Sequence, residues 1–276
     1  MTEQVNNARL LSVAKNAALA AGEQIRLMFD EPRMVTSKGP RDVVTDADLA
    51  AQAIITNMIS GAYPDHGFLP EEENDDLPTD GPILWIIDPV DGTVNYSRWL
   101  PIFCVSIAAV RNEPPLGIDD VLAAAVYDPM LDEMFTATAG GPCLLEGSGL
   151  HGRLLQTSAV EDLQDALIGI DWPLDAGLRQ DALDLINGHG HEVNVFRSTG
   201  SATLSMAWVA AGRLDAYVNF QLKPWDLAAA GLLVKQAGGT VADLAGNPLV
   251  MDVSGMNCLV SNAHLAGHLV TSVTQS

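Results

Sequence analysis

The chain has 276 residues, 48% of them hydrophobic, and a formal net charge of −21. That is enough apolar side chain for one large domain or for two halves sharing a core. The acidity argues against a surface built for nucleic acid or anionic lipid, and no apolar run reaches the ~18 residues of a membrane helix. The first residues lack the basic and apolar regions of a signal peptide. Three widely spaced cysteines, Cys104, Cys143 and Cys258, read as buried free thiols, so a cytoplasmic protein is expected.

Residues 4–29, beginning with Val5, place apolar side chains mostly three and four apart, which predicts an amphipathic helix. Glu31-Pro32 ends it. A short strand is expected over 34–38, a loop at Gly39-Pro40, and a helix over 49–59 capped by Thr45 or Asp46. Residues 67–70 and 83–87 read as strands, the second a short β-branched run bounded by Pro82 and Asp88. Strands at 102–110, 121–127, 133–138 and 143–145 would continue as an antiparallel meander. Polar, glycine-containing sequence at 146–158 reads as a seam, giving halves of 1–150 and 151–276. Beyond it strands at 166–171, 193–197, 214–219, 240–242 and 258–261 alternate with helices at 178–186, 202–211, 227–236 and from 263, an α/β half. The histidines have no motif context, and His189 and His191 read as solvated loop residues.

The chemistry concentrates where the 83–87 strand ends. Asp88 and Asp91 follow it at once, with Pro89 and Gly92 turning the chain. Two carboxylates released into a tight turn suit a hard divalent cation such as Mg²⁺, which takes oxygen ligands. The amides of Gly92, Thr93 and Val94 come next as phosphate donors. Glu71 opens an acidic run where the 67–70 strand ends. Pairing of that strand with 83–87 would stand Glu71 beside Asp88 and Asp91, where three carboxylates repel unless a cation lies between them. Asp226, behind Pro224 and Trp225 in the first turn of a helix, offers a fourth carboxylate from the other half. Each residue also has an ordinary reading. Asp42, Asp46, Asp48 and Asp226 suit helix starts, Glu71 a solvated loop, and Asp88 and Asp91 plain turn dipeptides. The helix starts at Thr93, Ser201 and Asp226 are candidates to converge on one anion.

Taken together these stretches carry a resemblance. DPVDGTVN at 88–95 and WDLAAAG at 225–231, with the paired glutamates at 71–72 and VVTDAD at 43–48, look like the signature motifs of the inositol monophosphatase family. FRSTGSATLSMAWVAAGRLDAY at 196–217 is similar to its bacterial branch, so the likeness covers nearly the whole chain. The resemblance implies an α/β (α+β) fold, a layered αβαβα sandwich of the type shared with fructose-1,6-bisphosphatase. It also implies two to three Mg²⁺ ions, lithium sensitivity, a homodimer and hydrolysis of a small phosphate monoester. By resemblance, Glu71, Asp88 and the carbonyl of Val90 would hold one Mg²⁺, and Asp88, Asp91 and Asp226 a second, with a third leaning on Glu71 through waters. Catalytic roles would fall to Asp48, Glu71 and Thr93, of which Thr93 and Asp48 would orient and deprotonate the attacking water. The amides of Gly92 and Thr93 would receive phosphate, and Asp91, Gly200, Ser201, Ala202 and Asn219 would face the substrate alcohol.

Three positions depart from the family pattern. Pro70 replaces a glycine, Gln221 stands where the bacterial branch has glycine, and Asn219 stands where relatives acting on inositol phosphate carry a glutamate. The expected activity is therefore Mg²⁺-dependent phosphomonoester hydrolysis on a polyol or sugar phosphate such as inositol 1-phosphate. Fructose-1,6-bisphosphatase, histidinol phosphatase and adenosine 3′,5′-bisphosphate nucleotidase activities are the alternatives. A regulatory binding protein is the reading from a different class, since some bacterial relatives act through transcription or ribosome assembly. The expected partner is a small phosphate ester, with neither nucleic acid nor membrane.

Overall fold

The structure, a computed structural model, describes residues 6–39, 42–147 and 149–273. The expected first helix is α1 (Asn7–Met28), capped by the Asn6 side chain; its predicted residues 4 and 5, with Val5, lie outside the described residues, as does Pro40 of the expected loop. A hairpin of β1 (Val35–Gly39) and β2 (Asp42–Thr45) leads into α2 (Asp46–Ala62). Thr45 is its N-cap, closing a reciprocal box with Asp48 at the third helical position.

The first large sheet contains β3 (Gly67–Pro70), β4 (Ile83–Asp91), β5 (Cys104–Arg111), β6 (Val121–Asp128), β7 (Glu133–Thr138), β8 (Leu144–Gly147) and β9 (Leu150–Leu154), in chain order, with α3 (Thr93–Ser97) after β4. β3 lies parallel to β4 and every later pair is antiparallel. The first part of the expected seam at 146–158 is therefore sheet. Gly147 and Gly149 turn the chain between β8 and β9, and the break between sheets falls after Leu154.

The second sheet has the order β11-β10-β12-β14-β13, from β10 (Leu167–Ile170), β11 (Val195–Arg197), β12 (Ala216–Leu222), β13 (Thr240–Ala242) and β14 (Met256–Ser261). Its helices are α4 (Leu178–His189), α5 (Ala202–Ala210), α6 (Pro224–Gln236) and α7 (Ala266–Val273). Two expectations change here. β12 runs to Leu222, so Asn219 sits inside a strand. α4 continues to His189, which is buried at the helix end with Nδ1 3.4 Å from Glu192, so the solvated-loop reading of His189 is wrong.

Strand parity assembles the layers. Successive side chains of a strand face opposite ways. Along β4, Ile83, Trp85 and Ile87 join α1 and α2 in one core, whereas Leu84 and Ile86 join α5 and α6 in another. That second core also takes Tyr217, Leu222, Cys258 and Val260 from the second sheet. On that sheet's far side Ile168, Val218, Phe220 and Leu259 pack against α4 and α7. The order is helices, sheet, helices, sheet, helices: the αβαβα sandwich. α5 and α6 are apolar on all sides because both faces are covered. Arg213 forks onto Glu133 at 2.6 and 2.5 Å, tying the turn before β12 to the first sheet.

Candidate metal centre

Asp88 and Asp91 are three residues apart, so in a regular strand they would face opposite sides of the sheet. They do not, because β4 is irregular between them. Asp88 pairs with Ser106 and Asp91 with Cys104, so three steps along β4 match two along β5. This bulge turns both carboxylates the same way. Val90 N–H closes the turn by donating to Asp88 Oδ1 at 3.0 Å. Gly92 then takes φ +105°, and a Cβ there would stand 2.8 Å from the carbonyl oxygen of Ile102. Only glycine fits that conformation and that gap.

Asp226 arrives from α6. Its carboxylate caps the helix, accepting the Lys223 amide at 2.7 Å, as the plain capping reading expects. It does so while forming a cluster with Asp88 and Asp91 in which one oxygen from each lies within 4.8 Å of the others. Burial, reinforced by repulsion from neighbouring carboxylates, pushes Asp88 and Asp226 well above the usual carboxylate range, while burial, opposed by the hydrogen bonds from Ser201 and Thr203, leaves Asp91 at about 6. Glu71 lies at the rim, hydrogen-bonded with Asp88 and held by Lys38 Nζ at 3.2 Å. It is pushed up to about 7, first by burial. Burial would lower Lys38, but Glu71 and Glu72 outweigh it and raise the ammonium.

Beside the cluster, Asp48 is fully buried and accepts the Thr45 amide at 2.9 Å and the Thr45 hydroxyl. Its other oxygen receives Thr93 Oγ1 at 3.1 Å, and the same hydroxyl lies 3.0 Å from the Val90 carbonyl. Burial, opposed by the Thr45 hydrogen bonds, leaves Asp48 at about 6. Thr93 and Asp48, paired in the sequence reading, are in contact.

The expected convergence of three helix starts on one bound anion is only partly met. The start of α5 already holds a carboxylate from within the chain. Asp91 accepts the Ser201 hydroxyl, the Ala202 amide and, at 2.8 Å, the Thr203 amide. Asn219 is also engaged internally. Its Nδ2 donates to the Tyr217 hydroxyl and its Oδ1 accepts the Gln221 amide, both at 2.9 Å. The sequence reading passed over Asp171, which stands next to Tyr217 and Gly200.

The donor set fits a hard cation. It is made of oxygen, the sulfur beside it (Cys104 Sγ) is a thiol 3.8 Å from Asp91, and burial and mutual repulsion raise the pKa of Asp88 and Asp226, a cost that a cation would relieve.

Five layers with carboxylates gathered where α6 meets the end of β4 define an αβαβα sandwich with an acidic centre between its two sheets. The chain belongs to the inositol monophosphatase family, whose profile matches residues 6–276. Nus factor SuhB of Escherichia coli strain K12 is 42% identical over 242 residues, 86% of each chain. The inositol-1-monophosphatase of Rhizobium meliloti is 36% identical over 260 residues, 93% of each. The crystal structure of extragenic suppressor protein suhB from Bartonella henselae matches with a TM-score of 0.87 at 32% identity, covering 97% of this chain and 99% of that one.

Proposed function

We propose that the chain is a Mg²⁺-dependent phosphomonoesterase acting on a small polyol or sugar phosphate such as inositol 1-phosphate. The observation that carries this reading is the Asp88–Asp91–Asp226 cluster with Thr93, two residues past Asp91, bonded to Asp48. Asp88, Asp91, Asp226, Glu71 and the Val90 carbonyl would hold two to three Mg²⁺ ions, lithium competing with them. When bound, Mg²⁺ neutralises the phosphate dianion and acidifies water.

The chain's own groups do the rest. Thr93 Oγ1 donates to Asp48, so its lone pairs are left to receive a proton from the attacking water. Asp48, held at about 6, suits a base working near neutrality and can take that proton through Thr93. Glu71 flanks the same water. The Gly92 and Thr93 amides, at the start of α3, receive phosphate oxygens. Gly200, Ser201 and Ala202 border the alcohol, with Asp91 fixed behind them. Its bonds to Tyr217 and Gln221 fix the Asn219 amide and leave one Nδ2 hydrogen and one Oδ1 lone pair to meet the alcohol, a weaker reader of hydroxyl donors than a carboxylate. We further place the enzyme in the cytoplasm as a homodimer; no helix among the described residues is long and apolar enough to cross a membrane.

The test is phosphate release from inositol 1-phosphate, glycerol 2-phosphate, fructose 1,6-bisphosphate, histidinol phosphate and adenosine 3′,5′-bisphosphate. Turnover should need added Mg²⁺ and stop with EDTA. Full turnover after verified metal removal would sink the mechanism. The 42% identical relative named as a Nus factor favours a second reading, a regulatory binding protein. Absence of turnover on all five substrates, with a stable protein partner recovered at native stoichiometry, would favour it.

A further inference from the structure

Asp171 directly follows β10 and is nearly buried. Parallel pairing of Ile170 with Val218 sets it beside β12. Its Oδ1 accepts the Ser198 hydroxyl at 2.8 Å and the Gly200 amide at 2.9 Å, and its Oδ2 accepts the Tyr217 hydroxyl at 3.0 Å. Tyr217 in turn accepts from Asn219, and Asn219 from the Gln221 amide. Every bond in this series donates toward Asp171, so each polarises the next.

The segment from Ser198 to Thr203 is thus strung between two carboxylates. One end is fastened to Asp171 on the second sheet. The other is fastened to Asp91 on the first, through the Ser201 hydroxyl and the Thr203 amide. Between them the Thr199 carbonyl accepts Asn95 Nδ2 at 2.8 Å. Gly200 has φ +73°, and a Cβ there would lie 2.9 Å from Asn95 Oδ1. The backbone at 200 is therefore held in a left-handed conformation with no room to shift toward Asn95.

We propose that Asp171 is a positioning residue for Asp91: by fastening Gly200 it aims the Ser201 hydroxyl, and that hydroxyl orients the Asp91 carboxylate within the cluster. The inference rests on the reading of that cluster as a metal centre. Asp171 hydrogen-bonds to none of the three carboxylates among the described residues, and its charge reaches Asp91 only as a repulsion, which Asp171→Asn removes while keeping the bond to Gly200. Partners that orient a metal ligand typically change affinity by about 10–100-fold.

The experiment is Mn²⁺ binding to the full chain, followed by electron paramagnetic resonance without substrate, with circular dichroism to establish folding. Asp171→Ala should weaken Mn²⁺ binding about tenfold. Asp171→Asn, whose Oδ1 still accepts the Gly200 amide, should stay within about twofold of wild type. Tyr217→Phe leaves both segment bonds in place and should do the same. Ser201→Ala should weaken binding too, and the double variant Asp171→Ala with Ser201→Ala should be little worse than the weaker single, because both act along one path. Where Asp171→Ala does not fold, Asp171→Ser is compared with Asp171→Asn instead, since a serine hydroxyl is too short to hold Gly200. Wild-type affinity in the folded alanine or serine variant overturns the proposal, and so do effects that multiply in the double variant. No Mn²⁺ bound by wild type overturns the metal reading itself.

Discussion

Replacing Asp91 by asparagine should make the metal-free protein more stable while disabling it. Asp91 is buried against Asp88 and Asp226, and its carboxyl is pushed from 3.8 up to about 6. At about 1.4 kcal/mol per pH unit, its ionisation costs the fold about 3 kcal/mol at pH 8. The sign follows from proton counting. With a raised folded pKa, the native state holds a proton that the unfolded chain releases, so stability falls as pH climbs from about 4 through 6. The amide cannot ionise, and an amide oxygen in place of Oδ2 still accepts Ser201 Oγ and the Thr203 amide. At roughly 2–4 °C per kcal/mol for a chain of this size, Asp91→Asn in EDTA should melt about 6–12 °C higher at pH 8. At pH 4.5 the gain should shrink to about a third of that. Scanning calorimetry or dye-monitored melting at the two pH values reads both. In parallel kcat should drop at least about a hundredfold. An unchanged or lower melting temperature at pH 8, or the same gain at both pH values, would refute the claim that this carboxylate is held against its own charge.

The same linkage predicts that saturating Mg²⁺ raises the wild-type melting temperature more at pH 8 than at pH 5. Glu71 at about 7 and Asp48 at about 6 add to the repulsion that a cation relieves; an equal shift at both pH values counts against a carboxylate site. His66, lowered by burial, works in the opposite direction, costing stability as pH falls below its usual 6.5. Thr93→Val should cut kcat by about a hundredfold with KM nearly unchanged, because it removes the hydroxyl on Asp48 and leaves the three clustered carboxylates in place; a rise in KM alone would assign Thr93 to binding. Gly92→Ala forces a Cβ to 2.8 Å from the Ile102 carbonyl at φ +105°, and should cost about 1–3 kcal/mol, read by urea unfolding. Lithium at tens of millimolar should inhibit turnover, and insensitivity would weaken the family-based ion assignment.

Much of this structure can be read in the sequence, for definite reasons. Ile83 to Ile87 is unbroken and β-branched because both faces of β4 are covered, and 202–210 and 224–236 are apolar all round because their helices lie between sheets. The carboxylates of the centre stand at strand ends and helix starts, where local punctuation marks them. What escapes is whatever depends on pairing across the chain. Nothing near Asp171 signals Tyr217, since the link is the register of β10 against β12. The β8–β9 hairpin hides in glycine-containing polar sequence because an edge pair needs little apolar surface. That the Asn219 amide is bonded to Tyr217 and Gln221 of its own strand cannot be read locally, because it depends on how far β12 extends in its pairing with β14. His189 looked solvated because a helix end buried by its neighbours has no local mark.

The bulge in β4 bears on which sequence changes this lineage can accept. The spacing from Asp88 to Asp91 is three, an odd number, and one extra residue on β4 compensates for it. Deleting Pro89 or Val90 would keep all the carboxylates in the gene product and yet restore regular pairing, with a spacing of two; the strand would then carry a differently shaped pair, and Gly92 would be drawn back from Ile102. Inserting one residue would rotate everything downstream, Thr93 included, to the other side. Substitutions in this stretch can be graded by how much they hurt, but changes in length cannot. The arithmetic of the pleat should make the interval from 88 to 93 one of the least tolerant of insertion or deletion in the whole polypeptide, and a length-scanning library read for both solubility and turnover should show a gap there.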